Sequence, residues 1–169
     1  RHSEVIVIDA SAMVEALLEA GIHFDWTYGN SASAVHVATY LSQDSQLARD
    51  YFTVFPGDPL FGGIRPFLRG DGFFNARYIF GPDAQVQDRS MVPDWEAIRT
   101  SFGNFRISGF NGRTGETVHW AREDMNGLDD FLRHARASAS LPIVMPPTKI
   151  GTDIFFDGAF GPTGGMPID

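Results

Sequence analysis

A short stretch of small residues around Ser31 is the sharpest chemical signal in the sequence. The serine is flanked by Gly29, Asn30, Ala32 and Ser33. A serine at a tight strand-to-helix turn forms a nucleophile elbow, which accepts only small residues two positions before and after it. The start of a helix also favours the negative charge that develops when an acyl carbonyl is attacked. We therefore predict that Ser31 is a nucleophile, and a serine-rich helix cap is the alternative interpretation.

Asp157 is the carboxylate best placed to serve this nucleophile. It follows the apolar run TDIFF and precedes Gly158 and Ala159, so it stands at the end of a predicted strand. Parallel strands end at one edge of an α/β sheet, and an aspartate there can accept a serine proton as a general base. We therefore predict that Ser31 Oγ and the Asp157 carboxylate approach within about 4 Å. An ordinary Asp-Gly turn is the alternative.

The histidines offer a second catalytic arrangement. A Ser–Asp–His hydrolase of the common order needs a histidine after its acid, and none follows Asp157. His119 lies in a predicted hairpin and His134 on the polar face of a predicted helix. An esterase triad would therefore use one of these two as base and Asp88 or Asp94 as acid.

Metal and nucleotide sites have weaker signals. Asp124, Asp129 and Asp130 lie near His119 in the sequence, but a solvated helix start explains these carboxylates better than a metal site does. Residues 161–165 (GPTGG) lack the Lys-Ser/Thr pair of a phosphate-binding loop. The sequence has no cysteine, which excludes disulfides and thiolate metal sites. We expect neither a metal nor an organic cofactor.

The overall charge argues against one class of partner. The 169 residues include 13 Lys and Arg against 21 Asp and Glu, a formal charge of −8. Such an acidic domain lacks the positive field that attracts nucleic acid. No apolar run approaches the roughly 18 residues of a membrane span, and no signal peptide is recognised. We expect a cytoplasmic protein with at most transient contact to a membrane surface, and the oligomeric state is left open.

The elements that must position the predicted nucleophile follow from the periodicity of the apolar residues. Residues 4–8 (EVIVI) predict a buried strand, and a helix with one apolar face follows and stops at Gly21. Residues 22–28 predict a second strand that leads into the serine turn. Residues 34–41 then predict a buried helix of small residues, and residues 44–54 a surface helix.

The middle of the chain is rich in Phe and Gly. The sequence contains 15 Phe and 18 Gly, and residues 55–92 combine many of them with prolines and short helical pieces. We predict irregular backbone in this segment. Since buried loop backbone needs hydrogen-bond partners, we expect Phe61, Phe73 and Phe74 to line a cleft rather than a core.

The remaining residues predict a hairpin, two helices and a final strand. FRISGF and ETVHWA flank an Asn-Gly turn, which is a hairpin signal. Helices are predicted over 93–101 and 127–136, an extended stretch over 140–149 and a strand over 152–156. The alternation of strands and helices indicates a single α/β domain over residues 1–169.

Several of these stretches resemble one known family. GNSASA is similar to the Gly-x-Ser-x-Gly elbow of patatin-like phospholipases, and RASASLPIVMPP with the later DGA resembles their Ala-Ser-x-x-x-Pro … Asp-Gly-Gly/Ala block. The stretches from LLEAGIHFDW to TGETVHW also resemble bacterial members of this family. The resemblance covers nearly the whole chain, and the Asp-Gly-Ala block is its most specific part.

The resemblance implies a fold and a function. The fold would be a three-layer α/β/α sandwich with a mostly parallel sheet and helices on both faces. The function would be that of a serine acyl hydrolase, which cleaves lipid or other acyl esters through an acyl-enzyme. By motif position Ser31 would be the nucleophile and Asp157 its base, with no histidine. For such a hydrolase we expect the Phe-rich segment, with Phe61, Phe73 and Phe74, to lie over the site and hold the acyl chain.

Two features depart from the family. Its oxyanion hole comes from a Gly-Gly-Gly-x-Arg-Gly loop, whereas this sequence has no triple glycine. Arg1 would be the remnant of that loop if the chain is incomplete at both termini. Ser33 replaces the last glycine of the elbow. A patatin-like binding protein without catalysis is therefore an alternative, beside the esterase that uses His119 or His134.

Overall fold

Helices and strands alternate along the first part of the chain. In the computed structural model, which describes residues 2–81 and 92–163, helix α1 spans His2–Glu19 and strand β1 spans Trp26–Asn30. Helices α2 (Ser33–Leu41) and α3 (Ser45–Thr53) follow, as predicted. Strand β1 begins four residues later than the apolar run suggested.

The later elements follow the predicted order except over 140–149, where the structure has a hydrogen-bonded turn at 141–145 and a short strand instead of one extended stretch. They are the helices α4 (Ile64–Arg69), α5 (Ala76–Phe80) and α6 (Trp95–Thr100), the hairpin strands β2 (Asn104–Asn111) and β3 (Thr117–Ala121), helix α7 (Leu128–Ser138), and the strands β4 (Thr148–Ile150) and β5 (Asp153–Asp157). In the segment expected to be irregular, α4 and α5 are short helices separated by turns. Its residues 82–91 lie outside the described residues.

Residues 4–8 belong to helix α1, so the prediction of a strand there is wrong. The prediction depended on the preference of the β-branched residues at positions 5–8 for strands. This preference is weak, and tertiary packing routinely overrides it. Helix α1 packs along α2 and α3, and its Val14, Leu17 and Leu18 lie against the main core. The predicted stop is confirmed, because Gly21 has φ +64° and its N–H donates to the Leu18 carbonyl at 3.1 Å.

The strands form one mixed five-stranded sheet in the order β1-β2-β5-β4, with β3 also paired to β2. The predicted α/β class is confirmed, but the prediction of a mostly parallel sheet is wrong. Strand β1 is parallel to β2, and the pairs β2–β3, β2–β5 and β4–β5 are antiparallel. Two of the antiparallel pairs, β2–β3 and β4–β5, follow from their connections, because the turns after Asn111 and after Ile150 are too short to return a strand in the parallel direction.

Helices α2 and α7 pack on the same face of this sheet. Gly29 in β1 lies against α2, and Phe105 in β2 packs edge-to-face on Phe131 of α7. Gly29 is the register partner of Ile107, and Ile107 is two residues from Phe105, so these side chains share one face. On the opposite face Arg106 is exposed.

Candidate active site

Ser31 occupies the turn between β1 and α2 with a backbone conformation that is rare for its residue type. Its φ is +57°, in the left-handed region that favours glycine. Such a conformation costs about 1–3 kcal/mol and persists only where the surrounding structure imposes it. A strained serine between a strand and a helix is the geometry of a nucleophile elbow.

The flanking small residues explain how α2 turns back so closely over β1. A Cβ added to Gly29 would lie 2.8 Å from the Cα of Ala34 and from a methyl of Val37. Ser33 fits where the family pattern has glycine, because its hydroxyl is held by the backbone of the turn. Its Oγ accepts from the Asn30 N–H at 2.7 Å and donates to the Asn30 carbonyl at 2.6 Å.

Strand β2 brings the predicted nucleophile and base together. Asn30, which precedes Ser31, is the register partner of Ser108, and Asp157 is the partner of Gly109. Strands β1 and β5 therefore reach adjacent positions of β2 from opposite directions. The two strand ends meet beside the middle of β2, rather than at a common edge of a parallel sheet as expected.

At this meeting point the two side chains are joined directly. Ser31 Oγ donates a hydrogen bond to Asp157 Oδ2 at 2.6 Å. Asp157 is 2% exposed, whereas Ser31 is only partly buried. The nucleophile candidate therefore lies at a partly buried position, while the carboxylate that accepts its hydrogen bond is shielded from solvent.

Burial changes the acidity of Asp157. It raises the pKa of the carboxyl above its ordinary value, although the hydrogen bonds from Ser31 and from the Ala159 N–H act in the opposite direction. The Ala159 N–H donates to Asp157 Oδ1 at 2.9 Å. Each carboxylate oxygen thus has a donor, and the raised pKa makes the group a stronger base than a solvated aspartate.

Gly158 is required by the path of the chain after Asp157. A Cβ at this position would lie 2.7 Å from both the carbonyl oxygen and the Oγ of Ser108. The chain then forms a 3-10 turn over Gly158–Phe160, and Asp157 caps this turn through the Ala159 N–H. The Asp-Gly-Ala sequence therefore sets both the orientation of the carboxylate and the exit of the chain.

The end of helix α7 holds both partners by their backbones, which the sequence reasoning missed. The Ser31 N–H donates to Ser138 Oγ at 2.8 Å, and the Asp157 N–H donates to the Ser140 carbonyl at 3.0 Å. Ser138 and Ser140 are fully buried. The signal in the sequence is the alternation of Ala and Ser over residues 137–140, which also belongs to the stretch that resembles the family.

The histidines have other surroundings. His134 Nδ1 lies 2.6 Å from the Asp130 carbonyl oxygen, and its ring packs edge-to-face on Trp120. The ring of His119 lies against that of Tyr28, with 6.0 Å between centroids. Burial lowers the pKa of both histidines. The partner that the structure gives to Ser31 Oγ is Asp157.

The acids considered for a triad do not support one. Asp94 Oδ1 accepts from the Glu96 N–H at 2.9 Å and thereby caps helix α6. Asp88 and Arg1 lie outside the described residues. Within residues 2–81 and 92–163, no group of three His, Asp or Glu side chains could hold a metal ion.

The three predicted cleft phenylalanines have different environments. Phe61 is partly buried against a second, smaller core of Leu47, Tyr51 and Tyr78. Phe74 packs edge-to-face on Phe61 and on Phe73, with centroid distances of 5.5 and 5.7 Å. Phe73 lines an open apolar groove. The rings therefore form one cluster, with Phe61 on its core side and Phe73 on its groove side.

The chain matches a protein-family model. The model described as Patatin-like phospholipase matches residues 7–166, which include Ser31, Ser138 and Asp157. No curated protein matches the chain. Among the described residues, no helix is both long enough and apolar enough to cross a membrane.

Proposed function

This chain belongs to the patatin-like phospholipase family, and we propose that it is a serine acyl hydrolase that cleaves lipid or other acyl esters with a Ser31–Asp157 dyad. The observation that supports this proposal best is the 2.6 Å hydrogen bond from Ser31 Oγ to the buried Asp157 carboxylate. A nucleophile needs a base within this reach. On this proposal an ester reaches Ser31, which is only partly buried, from the solvent side of the elbow.

The reaction has two halves. In the first, Ser31 Oγ attacks the ester carbonyl carbon while its proton passes to Asp157 Oδ2. The tetrahedral intermediate collapses, the carbon–oxygen bond to the alcohol breaks, and the alcohol leaves with the proton from Asp157. In the second, a water molecule gives a proton to Asp157 and attacks the acyl-enzyme. The fatty acid leaves, and Ser31 recovers its proton.

The oxyanion of each intermediate needs hydrogen-bond donors. In a nucleophile elbow the residue after the nucleophile supplies one backbone N–H, which here is that of Ala32 next to the start of α2. The positive end of the helix dipole favours the same negative charge. The family takes further donors from a glycine-rich loop, and the sequence printed here has no triple glycine.

The acyl chain of the substrate would lie on the phenylalanine cluster. Phe73 and Phe74 are about half exposed, and Phe73 lines the apolar groove, whose volume is about 300 Å³. That volume is at the lower end of the range for small-molecule sites. Phe61 supports this wall from the core side.

The test is the hydrolysis of a soluble chromogenic acyl ester by the full-length protein. We expect turnover in the wild type and a loss of at least about a thousandfold in Ser31→Ala and in Asp157→Asn. A near-normal rate in folded Ser31→Ala would assign the nucleophile to another residue. A folded wild-type protein without turnover would instead favour a binding protein.

A further inference from the structure

Helix α4 turns its apolar side chains outward. Ile64 and Leu68 are 72% and 79% exposed, and Phe67 is also exposed. These residues are spaced at i, i+3 and i+4, so they share one face of the helix. Pro66 is the buried residue of the helix. A surface helix ordinarily buries its apolar face, so α4 has the opposite orientation.

A strained turn continues this surface. Ile143 is 87% exposed and has φ +74°, which is a genuine outlier for a β-branched residue. The N–H groups of Val144 and Met145 both donate to the Leu141 carbonyl, so the turn is closed by hydrogen bonds. Strain of this kind is typically retained where function requires it. Here it holds an isoleucine at the tip of a turn.

The turn and the helix form one surface. The Phe74 N–H donates to the Val144 carbonyl at 3.2 Å, and residues of both elements line the same apolar groove. We call this surface the apolar patch; it consists of Ile64, Phe67, Leu68, Phe73 and Ile143. Contiguous exposed apolar patches on soluble proteins generally mark interaction sites.

The charges on helix α4 differ from those of the whole chain. The sequence has a formal charge of −8, yet helix α4 carries Arg65 and Arg69 and no acidic residue. Both arginines are exposed, and within residues 2–81 and 92–163 no ion pair is formed by either. An exposed apolar face bordered by unpaired arginines is complementary to an anionic lipid surface.

The apolar patch is also connected to the candidate active site. Ser138 and Ser140 hold the backbones of Ser31 and Asp157. The next residue, Leu141, begins the strained turn. A surface that binds the patch would therefore lie next to the segment that holds the backbones of the dyad.

We propose that the apolar patch docks on the surface of an anionic phospholipid bilayer. Ile64, Leu68 and Ile143 enter the acyl layer, while Arg65 and Arg69 bind the phosphates of the headgroups. The proposal rests on the proposed function only in that docking would supply the dyad with lipid esters. Docking itself needs no catalysis and is measured without it.

The experiment is cosedimentation of the full-length Ser31→Ala protein with vesicles. One set is a three-to-one mixture of phosphatidylcholine and phosphatidylglycerol, and the other is phosphatidylcholine alone. We expect binding to the mixed vesicles and a loss of about tenfold or more in Leu68→Glu. The pair Arg65→Glu and Arg69→Glu should lose about tenfold on mixed vesicles and much less on phosphatidylcholine. Met13→Glu, which changes a 63% exposed apolar residue on α1, should bind normally.

A second variant tests whether a loss of vesicle binding could be caused by misfolding. Ile143→Gly removes the apolar side chain and suits the positive φ, so its unfolding temperature should equal or exceed that of the parent. It should nevertheless bind the vesicles less well. Unchanged binding in both Leu68→Glu and Ile143→Gly would overturn the proposal, as would an equal loss in Met13→Glu.

Two further outcomes separate this proposal from its alternatives. Concentration-dependent dimers that Leu68→Glu abolishes, without vesicle binding, would make the apolar patch a protein contact and would refute docking. The soluble ester assay tests the dyad independently, and Leu68→Glu should keep its rate within about twofold. Vesicle binding without ester turnover would refute the proposed function and leave docking intact.

Discussion

The backbone N–H of Ser31 donates a hydrogen bond to the Oγ of Ser138, a residue 107 positions further along the chain, at 2.8 Å. Ser31 has a φ of +57°, and Ser138 is the last residue of α7 and fully buried. A helix end thus stabilises the strained backbone from which the Ser31 hydroxyl reaches Asp157.

This contact predicts that Ser138→Ala impairs turnover more than binding. Without its acceptor, the Ser31 backbone can relax and shift Oγ relative to Asp157, which should lower kcat by about 10- to 100-fold with little change in KM. The control is Ser140→Ala. Ser140 is equally buried, but its Oγ donates to the Arg136 carbonyl and lies 2.9 Å from Thr148 Oγ1. Both variants should lose about 1–3 kcal/mol of stability, and an equal loss of kcat in both would contradict the positioning role.

The strained turn predicts an order of stability among variants of Ser31. Ser31→Gly should be more stable than Ser31→Ala by about 0.5–1 kcal/mol, since glycine adopts a positive φ without steric cost but loses more entropy on folding. Neither variant should hydrolyse esters. Thermal unfolding of the two proteins checks this, and an alanine variant as stable as the glycine variant would argue against strain at Ser31.

The buried carboxylate predicts how activity depends on pH. Asp157 must be ionised to accept the serine proton, and burial raises its pKa above the ordinary value. The acidic limb of kcat/KM for a soluble ester should therefore fall as pH drops through this raised pKa. A midpoint at or below the value of a solvated aspartate would show that Asp157 does not act as the base.

The same shift predicts how stability depends on pH. Below the ordinary aspartate pKa, Asp157 is protonated in the folded and unfolded states alike. Between the ordinary pKa and the raised pKa, the unfolded state has lost its proton while the folded state keeps it, so the free energy of unfolding falls as the pH rises. Above the raised pKa both states are ionised, and the stability that the protonated carboxyl contributed is lost. Asp157→Asn should therefore gain stability relative to the wild type above that pKa and show no gain in acid. Urea unfolding across this pH range measures the difference.

The close contact of α2 and β1 predicts a low tolerance at Gly29. Gly29→Ala should destabilise the protein by about 1–3 kcal/mol, because its methyl would press on the backbone of Ala34. Gly57→Ala is the control, since a Cβ there would meet nothing within 4 Å. The control should change stability by no more than about 0.5 kcal/mol. Similar unfolding midpoints for the two variants would argue against this packing.

A dyad without histidine predicts that activity survives histidine substitutions. His119→Ala and His134→Gln should each keep ester turnover within about twofold, and glutamine is chosen for His134 to preserve its packing on Trp120. If either folded variant lost about a hundredfold, a general-base role for that histidine would replace the dyad.

The sequence alone determined the local features of the site. Gly29 and the small residues near Ser31 predicted the tight turn because only such residues fit where a helix folds back on its strand. TDIFF predicted a strand that ends at Asp157, because its apolar run stops at an Asp-Gly pair. These features depend only on residues a few positions apart, and the identities of those residues can be read from the sequence. The spacing of apolar residues likewise predicted α7, although its end at Ser138 was not predicted.

Only the tertiary structure decided which distant groups meet and in which direction. Residues 4–8 lie in helix α1, which packs on α2 and α3, and no local propensity encodes that contact. Strands β1 and β5 approach the middle of β2 from opposite directions, although long stretches of chain connect both of them to β2. The acceptor for the Ser31 N–H is 107 residues away. A hydrogen bond depends on distances of a few tenths of an ångström, and only the packed chain sets these between residues so far apart in sequence.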